Sequence, residues 1–233
     1  MLKLVNIDAT TRTLFPNDDE GGESGMHRKR VGILIFPAVE VLDFCGPFEV
    51  FTITRLNDAR RADEPPPFEV LVVAEESGVL VASGGLQVIP SCTIAECPHL
   101  DILVVAGGWG VHAQLHNDRL IHWIKERGRQ VETIASVCTG SMLLGQAGLL
   151  DGQRATTHWR SIAWMRESFP RVTVVTDQHV VEDGNLITSA GISAGLDMSL
   201  RLVARYFGED VARSTANHME YRHPCDNTRR VPL

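Results

Sequence analysis

Two residues of this 233-residue chain stand where chemistry could be done. Cys138 ends the apolar run "VETIASV" (131–137) and is followed at once by "TGSMLLGQAG", small residues that open a helix. Asp43 lies in "EVLDFCGPF" (40–48), just after the apolar run "VGILIF" (31–36). A thiol at a strand-to-helix corner points away from the sheet, toward the first N–H groups of the helix. Their partial positive charge favours thiolate, so the corner predicts a pKa below the usual value of about 8.5. A carboxyl group nearby has two uses: protonated, it donates a hydrogen bond to sulfur, and ionised, it acts as a base toward water. The plain alternatives are a small buried hydrophobe for Cys138 and a helix N-cap for Asp43.

The elements that must position these residues are legible as alternating apolar runs and helical stripes. "VGILIF" (31–36), "FEVLVVA" (68–74), "DILVVAGG" (101–108) and "VETIASV" (131–137) read as strands buried on both faces. Helices are predicted after each of the first, third and fourth: one with Pro47 in its first turn, one over 118–129 with Leu120, Ile121 and Ile124 on one face, and one from the cysteine to about Gly148. Residues 78–90 around Gly84-Gly85 read as a hairpin, as do "HVVE" and "NLITS" around Asp183-Gly184. Further helices are predicted over 160–168, 193–207 and 209–220, with a strand at "RVTVV" (171–175). This order predicts a flavodoxin-like α/β fold, a doubly wound, mostly parallel sheet with helices on both faces. Ligands gather at the carboxyl ends of strands in such sheets, where Asp43, the Gly107-Gly108-Trp109-Gly110 loop and Cys138 all fall. The organisation expected is a flexible N-terminal extension (1–29), one α/β domain (30–221) and a C-terminal tail (222–233).

Four motifs together resemble one family. Leu42-Asp43-Phe44-Cys45-Gly46-Pro47, "VCTGS" (137–141), "ATTHW" (155–159) and "GISAGLD" (191–197) are similar to the ThiJ/PfpI superfamily, relatives of the class I glutamine amidotransferases. The combination is most similar to the isocyanide hydratase branch and covers roughly residues 31 to 220. The resemblance implies a cysteine nucleophile at Cys138 with Asp43 beside it, a homodimer, and no cofactor. Its implied reaction is hydration of an isocyanide through a thioimidate. In that scheme the Thr139 hydroxyl orients water or Asp43, and backbone N–H groups of Gly108, Trp109 and Thr139 stabilise the adduct. Ser189, Gly191 and Ile192 should lie on a loop near the pocket, with Trp109 walling it or packing its own loop. His158 belongs to "TTHW", although a satisfied loop histidine is the plain reading. Protease-like members carry histidine directly after the cysteine, where this chain has Thr139. Without that imidazole a Cys-His hydrolase loses its base.

Composition narrows the rest. A formal net charge of −7 argues against a nucleic-acid surface. The five cysteines are an odd set with no metal-binding spacing, and the pairs His112/His116 and His218/His223 lack ligand partners, so no metal is expected. Cys45 reads as packing. No apolar run approaches the length of a membrane span and no signal peptide is recognisable, so the cytoplasm is the default and a small-molecule substrate the expected partner. Very similar domains form the ligand-sensing half of AraC-type regulators; "RHPCDNTRRVPL" (222–233) is too short for the helix-turn-helix that follows there. Glyoxalase-like or amidase-like chemistry is the other alternative, against which Asp43 and Thr139 both stand.

Overall fold

Strands buried on both faces need continuous apolar sequence rather than alternation, and such runs form the centre of the sheet in this computed structural model, which describes residues 27–231. β1 (Lys29–Leu34) leads through a tight loop into α1 (Val41–Ile53), and β2 (Phe68–Ala74) follows. The hairpin β3 (Leu80–Val81) and β4 (Gln87–Val88) stands apart from the main sheet, before β5 (Cys92–Thr93) and β6 (Ile102–Val105). After β6 come the short α2 (Val111–Gln114), α3 (Asp118–Gln130), β7 (Thr133–Val137) and α4 (Gly140–Gln146). The rest comprises β8 (Arg154–Ala155), α5 (Ile162–Ser168), β9 (Thr173–Val174), β10 (Val180–Asp183), β11 (Leu186–Ser189), α6 (Ala194–Phe207) and α7 (Glu209–His218).

The main sheet runs β10-β11-β7-β6-β1-β2-β5. Every neighbouring pair is parallel except β10 and β11, joined by the tight turn in which Gly184 takes φ 60°. From β1 the chain builds outward to β2 and β5, then returns to β6 on the other side of β1. That reversal opens a crevice between the carboxyl ends of β1 and β6, the place where ligands bind in sheets of this kind. The loops after β1, β6 and β7 all reach it.

Several local expectations are corrected. Pro47 lies in the interior of α1, not its first turn, because the helix starts at Val41; Glu40 is the N-cap and Asp43 falls in the first turn. The ring of Pro47 is accommodated by close packing on α6. A Cβ at Gly195 would come 3.1 Å from Val137 Cγ1 and 3.6 Å from Pro47 Cδ, so the start of α6 lies close against β7 and α1 at this glycine. "RVTVV" supplies the two-residue β9, paired with β8 outside the main sheet. The extension predicted over 1–29 lies, through residue 26, outside the described residues, while Lys29 already pairs with Phe68. In the tail, Thr228 bridges to Gln178 and Asn227 binds Val180 at the sheet edge. Among the described residues no helix is long and apolar enough to cross a membrane.

Candidate active site

The corner after β7 is sharp enough to force Cys138 into the left-handed region, at φ 57°. A side chain there costs about 1–3 kcal/mol and persists only where its surroundings hold it. Both polar ends of the residue are held. Its N–H donates to the Ala190 carbonyl (3.1 Å), and its carbonyl accepts from the Ser141 hydroxyl (3.1 Å) and the Thr157 hydroxyl (3.0 Å). Gly140 lets α4 begin immediately, since a Cβ there would lie 2.1 Å from the Val105 carbonyl oxygen.

Groups from three loops converge on the sulfur. The Thr139 N–H, the Ile192 N–H and the Thr139 hydroxyl all favour its thiolate. Ile192 is itself left-handed, at φ 52°, and that conformation turns its N–H toward the thiol. Asp43 enters from the first turn of α1 and is wholly buried. Its Oδ2 accepts the Gly107 N–H at 3.0 Å, whereas Oδ1 has no protein partner.

Burial dominates the titration of this pair. It pushes the Asp43 carboxyl up to about 8, with Glu40 adding to the effect and the Gly107 N–H and the Cys138 thiol working against it. Burial also raises the Cys138 thiol, and Asp43 raises it further. The expected lowering at the helix start is therefore reversed: Cys138 is only 6% exposed, and the loss of hydration outweighs the donors at its sulfur. At neutral pH the site holds a protonated carboxyl beside a thiol.

Thr139 joins the corner to the glycine loop. Its Oγ1 accepts the Gly108 N–H at 3.0 Å, and Gly108 takes φ 123° to present it. That N–H is thus engaged, against the expectation that it stabilises an adduct. A Cβ at Gly107 would sit 2.6 Å from the Thr139 nitrogen and 2.9 Å from Asp43 Oδ2, so glycine is required where these two residues meet.

The remaining candidates spread around the mouth. His158 packs its ring on the α-carbon of Gly191, where an added Cβ would meet Cδ2 at 2.1 Å. Its Nδ1 accepts the Arg160 N–H, and burial together with Arg160 and Arg229 lowers its pKa, so it is a neutral ring bracing the Ile192 turn. Trp109 is 76% exposed and lies beside His112, which stacks on Trp164 at 4.8 Å, so its ring stands at the surface. Ser189 ends β11 and gives its hydroxyl to the Ser136 carbonyl, so it belongs to the sheet and not to the loop. Burial raises the Cys45 thiol, in keeping with a packing role. Among the described residues no three His, Cys, Asp or Glu side chains gather as metal ligands. Thr157, Ala190 and Gly107 were not singled out from the sequence. The first two act through strand-end and loop contacts that spacing does not reveal; Gly107 was visible only as one of a glycine group.

Comparison with known proteins shows the family and the fold. The DJ-1/PfpI family model matches residues 29–205. The chain is 36% identical to the isonitrile hydratase of Pseudomonas putida over 193 residues, covering 82% of this chain and 78% of that one. It is also 36% identical to a helix-turn-helix transcriptional regulator of Pseudomonas aeruginosa over 65% of its length, but spans only 41% of the regulator. Among solved structures, a ThiJ/PfpI family protein from Pseudomonas syringae superposes with a TM-score of 0.75 at 28% identity, covering 90% of this chain and 86% of that one. DJ-1beta of Drosophila melanogaster shares the fold, with a TM-score of 0.70 at 22% identity over 84% of this chain and 100% of that one.

Proposed function

The chain belongs to the DJ-1/PfpI family, and from that premise we propose that it hydrates isonitriles (isocyanides) to N-substituted formamides through a thioimidate on Cys138. The observation that carries this reading is the buried pair itself: a thiol and a protonated carboxyl side by side, with Thr139 and no imidazole next to the cysteine. An isonitrile carbon accepts a nucleophile and a proton on the same atom. The Cys138 S–H bond breaks, an S–C bond forms, and Asp43 hands a proton to that carbon as it receives the one from sulfur. Oδ1, the oxygen without a protein partner, is the atom that holds the proton. Water then adds to the thioimidate carbon and one of its protons passes to nitrogen; the C–S bond breaks as the hydroxyl collapses to the formamide carbonyl, and the remaining water proton returns through Asp43 to sulfur, restoring the thiol. The departing thiolate is met by the Thr139 N–H, the Ile192 N–H and the Thr139 hydroxyl. The sum is one isonitrile and one water to one formamide. Trp109, Ile192 and His158 would face the substituent on nitrogen, and we take the working form to be a cytoplasmic homodimer.

The test is formamide formation from an aryl isonitrile, followed by absorbance, in wild type and Cys138→Ala. Turnover abolished in the variant supports the reading. A folded wild-type protein that binds the isonitrile without turning it over would instead favour a ligand-sensing role. That second reading is supported by the similarity to helix-turn-helix regulators.

A further inference from the structure

The strained Cys138 peptide is anchored by groups that are themselves anchored by the C-terminal segment. Two separate chains of hydrogen bonds lead there. On the carbonyl side, Thr157 donates its hydroxyl to the Cys138 carbonyl, and the Thr157 carbonyl accepts from Arg229 Nη2 at 3.2 Å. The same Nη2 reaches the Thr156 hydroxyl oxygen (2.5 Å), and Nε donates to the Thr176 carbonyl (2.7 Å). On the amide side, the Cys138 N–H donates to Ala190, the Ala190 N–H donates to the His179 carbonyl (2.9 Å), and the His179 N–H donates to the Asn227 carbonyl (2.8 Å). The Asn227 side chain then closes on Val180 through both its oxygen and its nitrogen, at 2.9 and 2.7 Å.

Covering the edge of β10 explains Asn227 and Thr228, which pair along that strand. It does not explain Arg229, whose guanidinium crosses to the "ATTHW" loop and is given to carbonyls and a hydroxyl of the segments behind the nucleophile. A planar guanidinium with several fixed donors is suited to holding separate backbone segments at once.

We propose that residues 227–229 form a clamp that holds the Cys138 peptide in its left-handed conformation, with Arg229 as a positioning residue. The clamp rests on the reading of Cys138 as the nucleophile only for its effect on turnover; its effect on the backbone does not. A left-handed cysteine relaxes toward ordinary φ when either end is released, which swings the sulfur away from the Thr139 and Ile192 N–H groups.

The test is hydrogen exchange by mass spectrometry on the full chain, comparing wild type with Arg229→Met and Asn227→Ala, with kcat and KM measured alongside on an aryl isonitrile. Exchange over residues 136–142 is expected to quicken by about tenfold in Arg229→Met, the factor carried by one charge-assisted hydrogen bond, and by about threefold to tenfold in Asn227→Ala, which loses neutral ones, while peptides from β1 and β6 are unchanged. Where the isonitrile is turned over, kcat falls with KM little altered, and Arg229→Lys or added guanidinium restores part of it. Unchanged exchange over 136–142 in both folded variants overturns the clamp. Quickened exchange without any turnover by wild type leaves the clamp standing and removes the hydratase reading instead. Should Arg229→Met fail to fold, Arg229→Gln and Asn227→Ala carry the same comparison.

Discussion

Replacing Asp43 by Asn is expected to make the protein more stable as pH rises, while removing its activity. The folded carboxyl titrates at about 8, against 3.8 for the free group. Below pH 4 both states are protonated and the aspartate costs nothing. As pH climbs toward 8 the unfolded chain releases its proton and the folded chain does not, so wild-type stability is lost across that window and levels off above it. Each unit of pH within the window costs about 1.4 kcal/mol, which makes the cost at pH 7 about 4 kcal/mol. Asn carries no such cost, and its side-chain oxygen can still accept the Gly107 N–H. The assay is urea unfolding of both proteins at pH 5 and pH 8, where groups common to both cancel in the difference. The variant's advantage should grow by about 3 to 4 kcal/mol between those two values. Turnover should fall by about 10²- to 10⁴-fold, the contribution of one acid–base group. A stability difference that is the same at pH 5 and pH 8 would refute the reasoning, because Asp43 would then be ionised in the fold and unable to relay a proton.

Three other outcomes follow from the same geometry. Wild-type kcat should decline above pH 8 as Asp43 loses its proton, measured as a rate profile from pH 6 to 9.5. Thr139→Val keeps the shape but strips the acceptor from the Gly108 N–H, so unfolding by urea should show a loss of about 1–3 kcal/mol and kcat should fall with it. Gly107→Ala drives a methyl to 2.6 Å from the Thr139 nitrogen, and steady-state assay should find it nearly inactive while circular dichroism still reports the fold; wild-type turnover in that variant would show that the Asp43–Thr139 junction is not needed.

The sheet was legible because its strands are apolar runs bounded by glycine and proline, and burial on both faces demands such sequence. The site was legible as motifs and not as geometry. Cys138, Asp43 and Thr139 could be named, but nothing in their spacing says that Thr139 takes the Gly108 N–H, or that Ile192 turns left-handed to face the sulfur. Those facts depend on how three separate loops meet at the carboxyl ends of the central strands. Pro47 misled for a related reason. Proline favours first turns, yet here tertiary packing against Gly195 sustains a helix already begun at Val41. The two-residue ladder of β8 and β9 is shorter than any pattern can announce.

The reversal at the thiol has the widest consequence for the chemistry. A helix start favours thiolate through the partial charge of its first turn, an effect of about 0.3–1 kcal/mol at exposed sites. Here the sulfur is sealed beneath loops beside an equally buried carboxyl, and the hydration lost there is the larger effect. A nucleophile that must be deprotonated in advance would work poorly in such a place. One that surrenders its proton as it attacks, to a carboxyl poised to pass a proton onward, is well suited to it. The attacked atom must then accept sulfur and hydrogen together, which an isonitrile carbon does and a peptide carbonyl carbon does not. On this reading it is burial, acting through the proton held between Asp43 and Cys138, that sets the reaction apart from hydrolysis built on the same corner.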